Sequence, residues 1–420
     1  MTTIIDKREH EELDYEEIGN HVALDGIPMA NCGTPDRLLG LTVTDIKART
    51  LRTGYYIGAA WIAEGDTALR ISPKIEGIDW LRMFTDCFYE ADDEIQKHIH
   101  NIYQIDFDKP KIEYNGGTSM LTPFIIAHFL FLVKNIVRKG LKKDYRHEEQ
   151  NLEGKLKGRL LFTKQLKKNI AVGRLDRNFC RYQTFSENCL ENRIIRHALL
   201  YARNFMANNH STFNRELHEL LTKNLAAFAG VTEITSRECM VTLHTSPVFH
   251  DYKRALKVAR MIIRRFDCDM QRSQTEHDTL VPPFWINMPL LFELYVLGKL
   301  RMRHGKGIKY HTRSTGNEID FGKPSEQLII DTKYTTKWSD DGIVAEHIRQ
   351  LAGYARNKNI RKRLGVTDDN VIMNCMIAYP DSNGASEFTS ANIQDEPAVK
   401  AIDSYIKTYK IGIRLPELQQ

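Results

Sequence analysis

Between Thr315 and Tyr334 the chain reads Thr-Gly-Asn-Glu-Ile-Asp-Phe-Gly-Lys-Pro-Ser-Glu-Gln-Leu-Ile-Ile-Asp-Thr-Lys-Tyr, and no other stretch limits the fold as tightly. One strand is predicted to end at Ile319 to Phe321, Gly322-Lys323-Pro324-Ser325 supplies the turn, and a second strand follows from Leu328 to Tyr334. Leu328, Ile329 and Ile330 call for burial, so this is a hairpin whose second strand runs beside a core. The apolar run then gives way to Asp331 and Lys333, two apart and hence on one face of the strand. Asp320 can pair across the turn and bring a second carboxylate to the same edge. Charge beside a core is costly unless it is paired or holds a metal. The edge therefore reads as a site, against the alternative of a surface hairpin with an ordinary Asp-Lys pair.

Two carboxylates suit a hard divalent cation such as Mg2+, and a neighbouring lysine can orient or deprotonate its water, which together describe phosphodiester hydrolysis. The arrangement resembles the PD-(D/E)XK nuclease superfamily, departing from it where Ile319 stands in place of the proline before Asp320. The resemblance implies that Asp320 and Asp331 bind Mg2+, with the Thr332 carbonyl as a further ligand and Lys333 positioning the attacking water. Nuclease cores of this kind bring a Glu from a preceding helix to the metal. Glu293, midway along an almost wholly apolar helix predicted over 288–301, fits that role and is expected to be buried beside a cation.

After the hairpin a helix is predicted over 345–357. Gln350 and Tyr354, four apart, share a face that can look towards the site and touch the substrate or order the lysine. Arg356, Lys358, Arg361, Lys362 and Arg363 form the densest basic cluster in the chain and the best candidate for gripping DNA phosphates. A buried strand from Val371 to Tyr379, ending at Pro380, completes a small central sheet.

At 420 residues the chain exceeds the usual size of one core. Breaks at Asn115-Gly116-Gly117 and Val281-Pro282-Pro283 suggest a β-rich domain over 1–115, a helical middle region over 116–280 and an α/β core over 281–420. In the first, Tyr55 to Ala63 and Thr67 to Ile75 read as strand, tight turn and strand, with Pro73 limiting the second. A helix is predicted over 79–94, and the pair His98 and His100 reads as part of a half-buried element rather than a zinc site. In the middle region helices are predicted over 121–138, from a cap at Ser186 or Asn188, over 213–228 and over 252–266. Asn192 and Arg193 are expected to bind neighbouring backbone, and residues 139–157 read as a polar segment. Gly154-Lys155-Leu156-Lys157-Gly158-Arg159 can turn sharply and meet phosphate, or be a solvated loop.

A net charge of +5 permits a polyanion without demanding one. Seven scattered cysteines with no Cys-x-x-Cys favour reduced thiols and a cytoplasmic setting. The acidic first twenty residues are no signal peptide, and the most apolar run, 120–133, is short of the ~20 residues of a membrane helix. The chain has no Gly-x-x-x-x-Gly-Lys-[Ser/Thr] loop, so DNA translocation would need a partner motor. Gly-x-Ser-x-Gly, His-Glu-x-x-His and Gly-x-Gly-x-x-Gly are also absent, which removes the commonest rival enzyme classes.

Five segments in order, Ile71-Ser72-Pro73-Lys74-Ile75, residues 154–159, the Glu-Asn-Arg at 191–193, Leu291-Phe292-Glu293-Leu294-Tyr295-Val296 and the hairpin followed by Gln350 and Tyr354, resemble the McrC subunit of McrBC-type modification-dependent restriction systems. That resemblance implies a C-terminal nuclease core and an N-terminal part that docks on a hexameric AAA+ GTPase, McrB, and stimulates it. The substrate would be double-stranded DNA carrying a modified base. Two alternatives stand beside this one: a non-catalytic adaptor of a motor, and a stand-alone repair nuclease of the same fold.

Overall fold

The computed structural model describes residues 3–16, 18, 41–45, 50–88, 98–99, 101–106, 109–113, 121–239, 250–270, 280–314, 317–339 and 342–417. The break at Asn115-Gly116-Gly117, His100, Thr315, Gly316 and the far end of the helix expected over 79–94 lie outside them. Two compact units emerge: residues 1–120 with 277–420, and residues 121–276.

The first unit holds two main sheets. One has five strands in the order Thr3–Arg8, Thr67–Ser72, Tyr56–Ala63, Phe284–Asn287, Tyr103–Ile105. Its fourth strand comes from beyond residue 280, so Val281-Pro282-Pro283 lies inside one unit rather than at a boundary. The two prolines separate the short strands Leu280–Val281 and Phe284–Asn287, each paired to a strand from the first 115 residues. Gly58 makes the pairing feasible, because a Cβ there would fall 2.1 Å from the carbonyl oxygen of Phe284.

The second sheet has six strands in the order Lys309–Ser314, Asn317–Lys323, Leu328–Thr332, Asn374–Ala385, Thr408–Ile413, Val399–Ala401. Its centre is parallel and its flanks antiparallel. The predicted hairpin is there, paired Phe321 to Ile330 and Lys323 to Leu328. Its second strand stops at Thr332, two residues early, and its turn is a short 3-10 segment, Pro324–Glu326. The strand expected to end at Pro380 runs on to Ala385, because a bulge between Pro380 and Ala385 takes up the irregularity.

The helix Met288–His304 is capped by Asn287, whose side chain accepts from the Leu290 N–H, and has proline in its first turn. Its Gly298 lies where a Cβ would be 2.1 Å from the Asp86 carbonyl oxygen, which brings it close against the helix Trp80–Asp86. The helix Ala345–Arg356 buries Ile348 and Leu351 in a core shared with Ile319, Ile329, Trp338, Ile377 and Tyr379. Burying that apolar set, at ~25 cal/mol per Å2 removed from water, fixes where the polar edge of the sheet sits.

The second unit is helical with one addition. The helices Leu121–Lys139, Leu190–Asn208, Arg215–Ala227 and His250–Met270 match the predicted periodicity, with Ala255, Val258, Ala259, Ile262 and Ile263 all buried. The helical expectation misses a three-stranded antiparallel sheet of Arg159–Leu160, Arg177–Ser186 and Asp144–Glu153. Asp144–Glu153 is exposed along most of its length, so it lacks the apolar alternation that betrays a strand. The helix from 190 is capped by Cys189 without a side-chain bond, and Asn188 instead accepts from the Thr232 N–H and hydroxyl, 3.0 Å each. Asn192 binds backbone as expected, donating to the Lys142 and Glu187 carbonyls, and Arg193 donates to that of Glu233.

Candidate functional site

The apolar residues Leu328, Ile329 and Ile330 are buried, which carries Asp331 with them to 3% exposure. An isolated carboxylate there would pay a heavy desolvation cost. Lys333 offsets it, with Nζ 2.7 Å from Asp331 Oδ2. The same ammonium donates to Gln350 Oε1 at 2.9 Å, and Gln350 Nε2 donates to Tyr354 Oη at 2.6 Å. Helical spacing of four residues thus produces a relay that aims the lysine, the geometry anticipated for Gln350 and Tyr354.

Asp320 is held by a different device. Its Oδ2 accepts from the Thr332 N–H and from the Thr332 hydroxyl, both at 2.6 Å. Thr332 therefore meets Asp320 as a donor. Burial pushes the Asp320 carboxyl well above its usual range, and the Glu293 and Asp331 carboxylates push the same way. Burial also raises Asp331, against the pull of Lys333. Glu293 comes from the helix Met288–His304 and its side chain is 15% exposed. Its Oε1 lies 2.6 Å from His311 Nε2. The neighbour found beside Glu293, where a cation is expected, is thus an imidazole.

His311 was not anticipated. It sits in the strand Lys309–Ser314, with Tyr310 paired to Phe321 and Thr312 to Ile319 on either side of it. Its φ is +45°, a region that side chains other than glycine seldom adopt and that concentrates at functional positions. Its ring stacks on Tyr310 at 3.9 Å and meets the edge of His98 at 4.5 Å between centroids. No sequence motif marks it, because its carboxylate partners, Glu293 and Glu318, are 18 and 7 residues away on other elements and the contact exists only in the fold.

The chemistry of this donor set fits a divalent cation. Three carboxylates, Glu293, Asp320 and Asp331, lie close enough to act on one another, and a lysine ammonium pairs with Asp331, in a site largely withdrawn from water. One oxygen or nitrogen each of Glu293, His311 and Asp320 lie within 4.8 Å of one another. Beside them a cleft of about 460 Å3 is lined by Arg301, Ile308, Lys309, Tyr310, His311, Thr312 and Arg363.

The basic cluster divides. Arg361 is 7% exposed and its guanidinium donates to the carbonyls of Ala355, Asp368 and Val371, so it holds its own loop and is not free for phosphate. Sequence spacing cannot tell such an arginine from a solvated one. Arg356, Lys358, Lys362 and Arg363 are exposed, with Lys358 3.1 Å from Asp369. In the second unit the Gly154 to Arg159 stretch is a turn between strands, with Lys157 over the Tyr182 ring at 4.1 Å.

The Ile71 to Ile75 segment reaches the site from the other sheet. Lys74 Nζ donates to the Tyr334 carbonyl at 2.6 Å and lies 3.8 Å above the Tyr334 ring. Buried Glu9 accepts from the Lys74 N–H at 3.0 Å and from the Tyr334 hydroxyl at 3.3 Å. Burial lowers the Lys74 pKa to about 8. The residue after Lys333 is thereby anchored to the five-stranded sheet.

The model of a family described as McrBC 5-methylcytosine restriction system component matches residues 51–364. Among solved structures the chain is similar to a chain of the refined half-complex from a tetradecameric assembly of Thermococcus gammatolerans McrB AAA+ hexamers with bound McrC. The identity is 16% over 99% of this chain and 95% of that one, at a TM-score of 0.39. It is also similar to a chain of the Thermococcus gammatolerans McrBC complex seen by cryo-electron microscopy, at 16% identity over 79% and 92%, TM-score 0.32. No curated protein matches.

Proposed function

The chain belongs to the family of McrBC 5-methylcytosine restriction system components, and from that premise we propose that it is the nuclease subunit of such a system, an McrC-type, Mg2+-dependent DNA endonuclease. Its partner is an AAA+ GTPase of the McrB kind, its substrate modified double-stranded DNA, and its setting the cytoplasm. The six-stranded sheet is then a PD-(D/E)XK core. The observation that carries this reading is the Lys333 ammonium held between Asp331 and Gln350, with Asp331 itself close enough to the half-buried carboxylates of Asp320 and Glu293 to interact with both.

Each residue has a task. Asp320, Asp331 and Glu293 supply the oxygens that would hold the cation, with the Thr332 carbonyl as a further one. A bound Mg2+ would polarise the phosphoryl oxygen and lower the pKa of a water. Lys333 would orient the attacking water and stabilise the negative charge that develops on the phosphate as the water oxygen bonds to phosphorus and gives up its proton to solvent, while the ester P–O bond breaks and the leaving oxygen is protonated from solvent. Gln350 and Tyr354 keep the lysine from folding back on Asp331 alone. Arg356, Lys358, Lys362 and Arg363 grip backbone phosphates, and the cleft lined by Arg301, Lys309 and Arg363 gives a charged path to the site.

The test is cleavage of modified DNA by the full chain with its GTPase, GTP and Mg2+, comparing wild type with Asp331→Ala and Lys333→Ala. Loss of cutting with unchanged binding to the motor is expected. Retained cleavage by Asp331→Ala would overturn the assignment, and cleavage by wild type without motor or nucleotide would favour the stand-alone nuclease.

A further inference from the structure

The three donors that come closest together are a carboxylate from a helix, a carboxylate from one strand and an imidazole from its neighbour. Around one ion with bonds of ~2.1 Å at right angles, adjacent donors stand about 3 Å apart. Glu293 Oε1 and His311 Nε2 are at 2.6 Å, and the full set with Asp320 is within 4.8 Å, so small side-chain adjustments would seat an ion.

Two features aim the imidazole. Its Nδ1 lies 2.9 Å from Glu318 Oε1 without the alignment of a hydrogen bond, so a small turn would give it the carboxylate flank that commonly orients a metal-binding histidine through its other nitrogen. Its ring is wedged between Tyr310 and His98, so Nε2 has little freedom to turn from Glu293 and Asp320. Asp320 is equally constrained: Thr332 occupies Oδ2, which leaves Oδ1 for a ligand.

We propose that His311 is a ligand of the site's cation through Nε2, and that the site therefore binds Mn2+ more tightly than Mg2+. The proposal rests on the hydrolytic reading above and adds to it the identity of a nitrogen ligand. Mg2+ prefers oxygen donors, whereas one imidazole raises the affinity for later divalent ions of the first transition row.

Mn2+ itself is the probe, added to the full-length protein without nucleotide. Electron paramagnetic resonance counts bound ions, competition with Mg2+ gives the affinity ratio, and electron spin-echo modulation reports 14N directly coupled to the metal. Wild type should bind Mn2+ at least about tenfold more tightly than Mg2+ and show the nitrogen coupling. In His311→Asn the coupling should vanish and Mn2+ affinity fall by about tenfold or more, with Mg2+ affinity changing far less. Asparagine tolerates positive φ, which protects the backbone at this position, and circular dichroism checks that the variant is folded. Glu318→Gln should keep the coupling while weakening Mn2+ binding by about tenfold, which tests the proposal even if His311→Asn does not fold. His98→Phe should keep both coupling and affinity.

Bound Mn2+ without nitrogen coupling in wild type, or coupling that persists in folded His311→Asn, would overturn this inference and leave the hydrolytic reading standing. Wild type that binds no divalent cation at all would overturn both.

Discussion

Two strands of this molecule are rich in charge and opposite in consequence. In Asp144–Glu153 the acids face water: Glu149 accepts from Arg181 Nε at 3.0 Å and pairs with Lys164, and those donors hold its carboxyl below its usual range. At the end of Leu328–Thr332 the acids face protein, and Asp320 and Asp331 are pushed upward by burial. Residue types are nearly the same in both places. What separates them is the apolar run that precedes Asp331 and draws it inward, whereas nothing apolar of comparable length precedes Glu149. A charged pair in water is worth little, while charges crowded against a core are held only because the surrounding fold forces them there.

That contrast can be broken most severely at the lysines. Lys333→Ala should lower DNA cleavage by about 10²–10⁴-fold, the range for loss of a positioned proton-handling group, and Lys164→Ala should leave the cleavage rate unchanged. Equal effects would erase the distinction. A buried cation outside the acidic edge tests the same principle by stability: Arg361→Ala should cost about 2–3 kcal/mol in urea unfolding, because three carbonyls lose a charged donor, while the salt dependence of DNA binding stays as in wild type.

The pH response sharpens the contrast through its sign. Asp320 holds its proton more tightly folded than unfolded, so its ionisation destabilises the cation-free protein as pH rises from the ordinary aspartate range through the raised value. Asp320→Asn should therefore gain on the order of 1 kcal/mol near neutrality, with the gain shrinking on acidification and on adding divalent cation. Glu149 runs the other way. Its stabilising contribution is present above the usual glutamate range and lost as pH falls through the lowered value, so any deficit of Glu149→Gln should vanish in acid. Melting curves in chelator from pH 4 to 8 read both. The smallest effect is expected at the solvated part of the basic cluster: Lys362→Ala should reduce the slope of log K against log[salt] by about 1.

The hairpin was legible because Leu328 to Ile330 and the charges after them obey a local rule, and Gln350 with Tyr354 because helical spacing is local too. Glu293 stood out as a single acid in an apolar helix. His311 did not, since its meaning depends on a register between two strands and on a helix behind them, none of which leaves a periodic trace. Arg361 failed for the complementary reason: five cations within eight residues look alike until the fold chooses which one to bury. The strand Asp144–Glu153 was invisible because exposed strands need no hydrophobic alternation, and Phe284–Asn287 because its partners lie some 180 and 225 residues upstream.

That last strand sets an order of assembly. As the chain is made, Tyr56–Ala63 and Tyr103–Ile105 emerge long before the segment that hydrogen-bonds to both. Until then each offers an open edge to any passing strand. A fragment truncated after residue 280 would inherit that exposure permanently, and one begun at 281 would carry an orphan ribbon from a sheet it no longer contains.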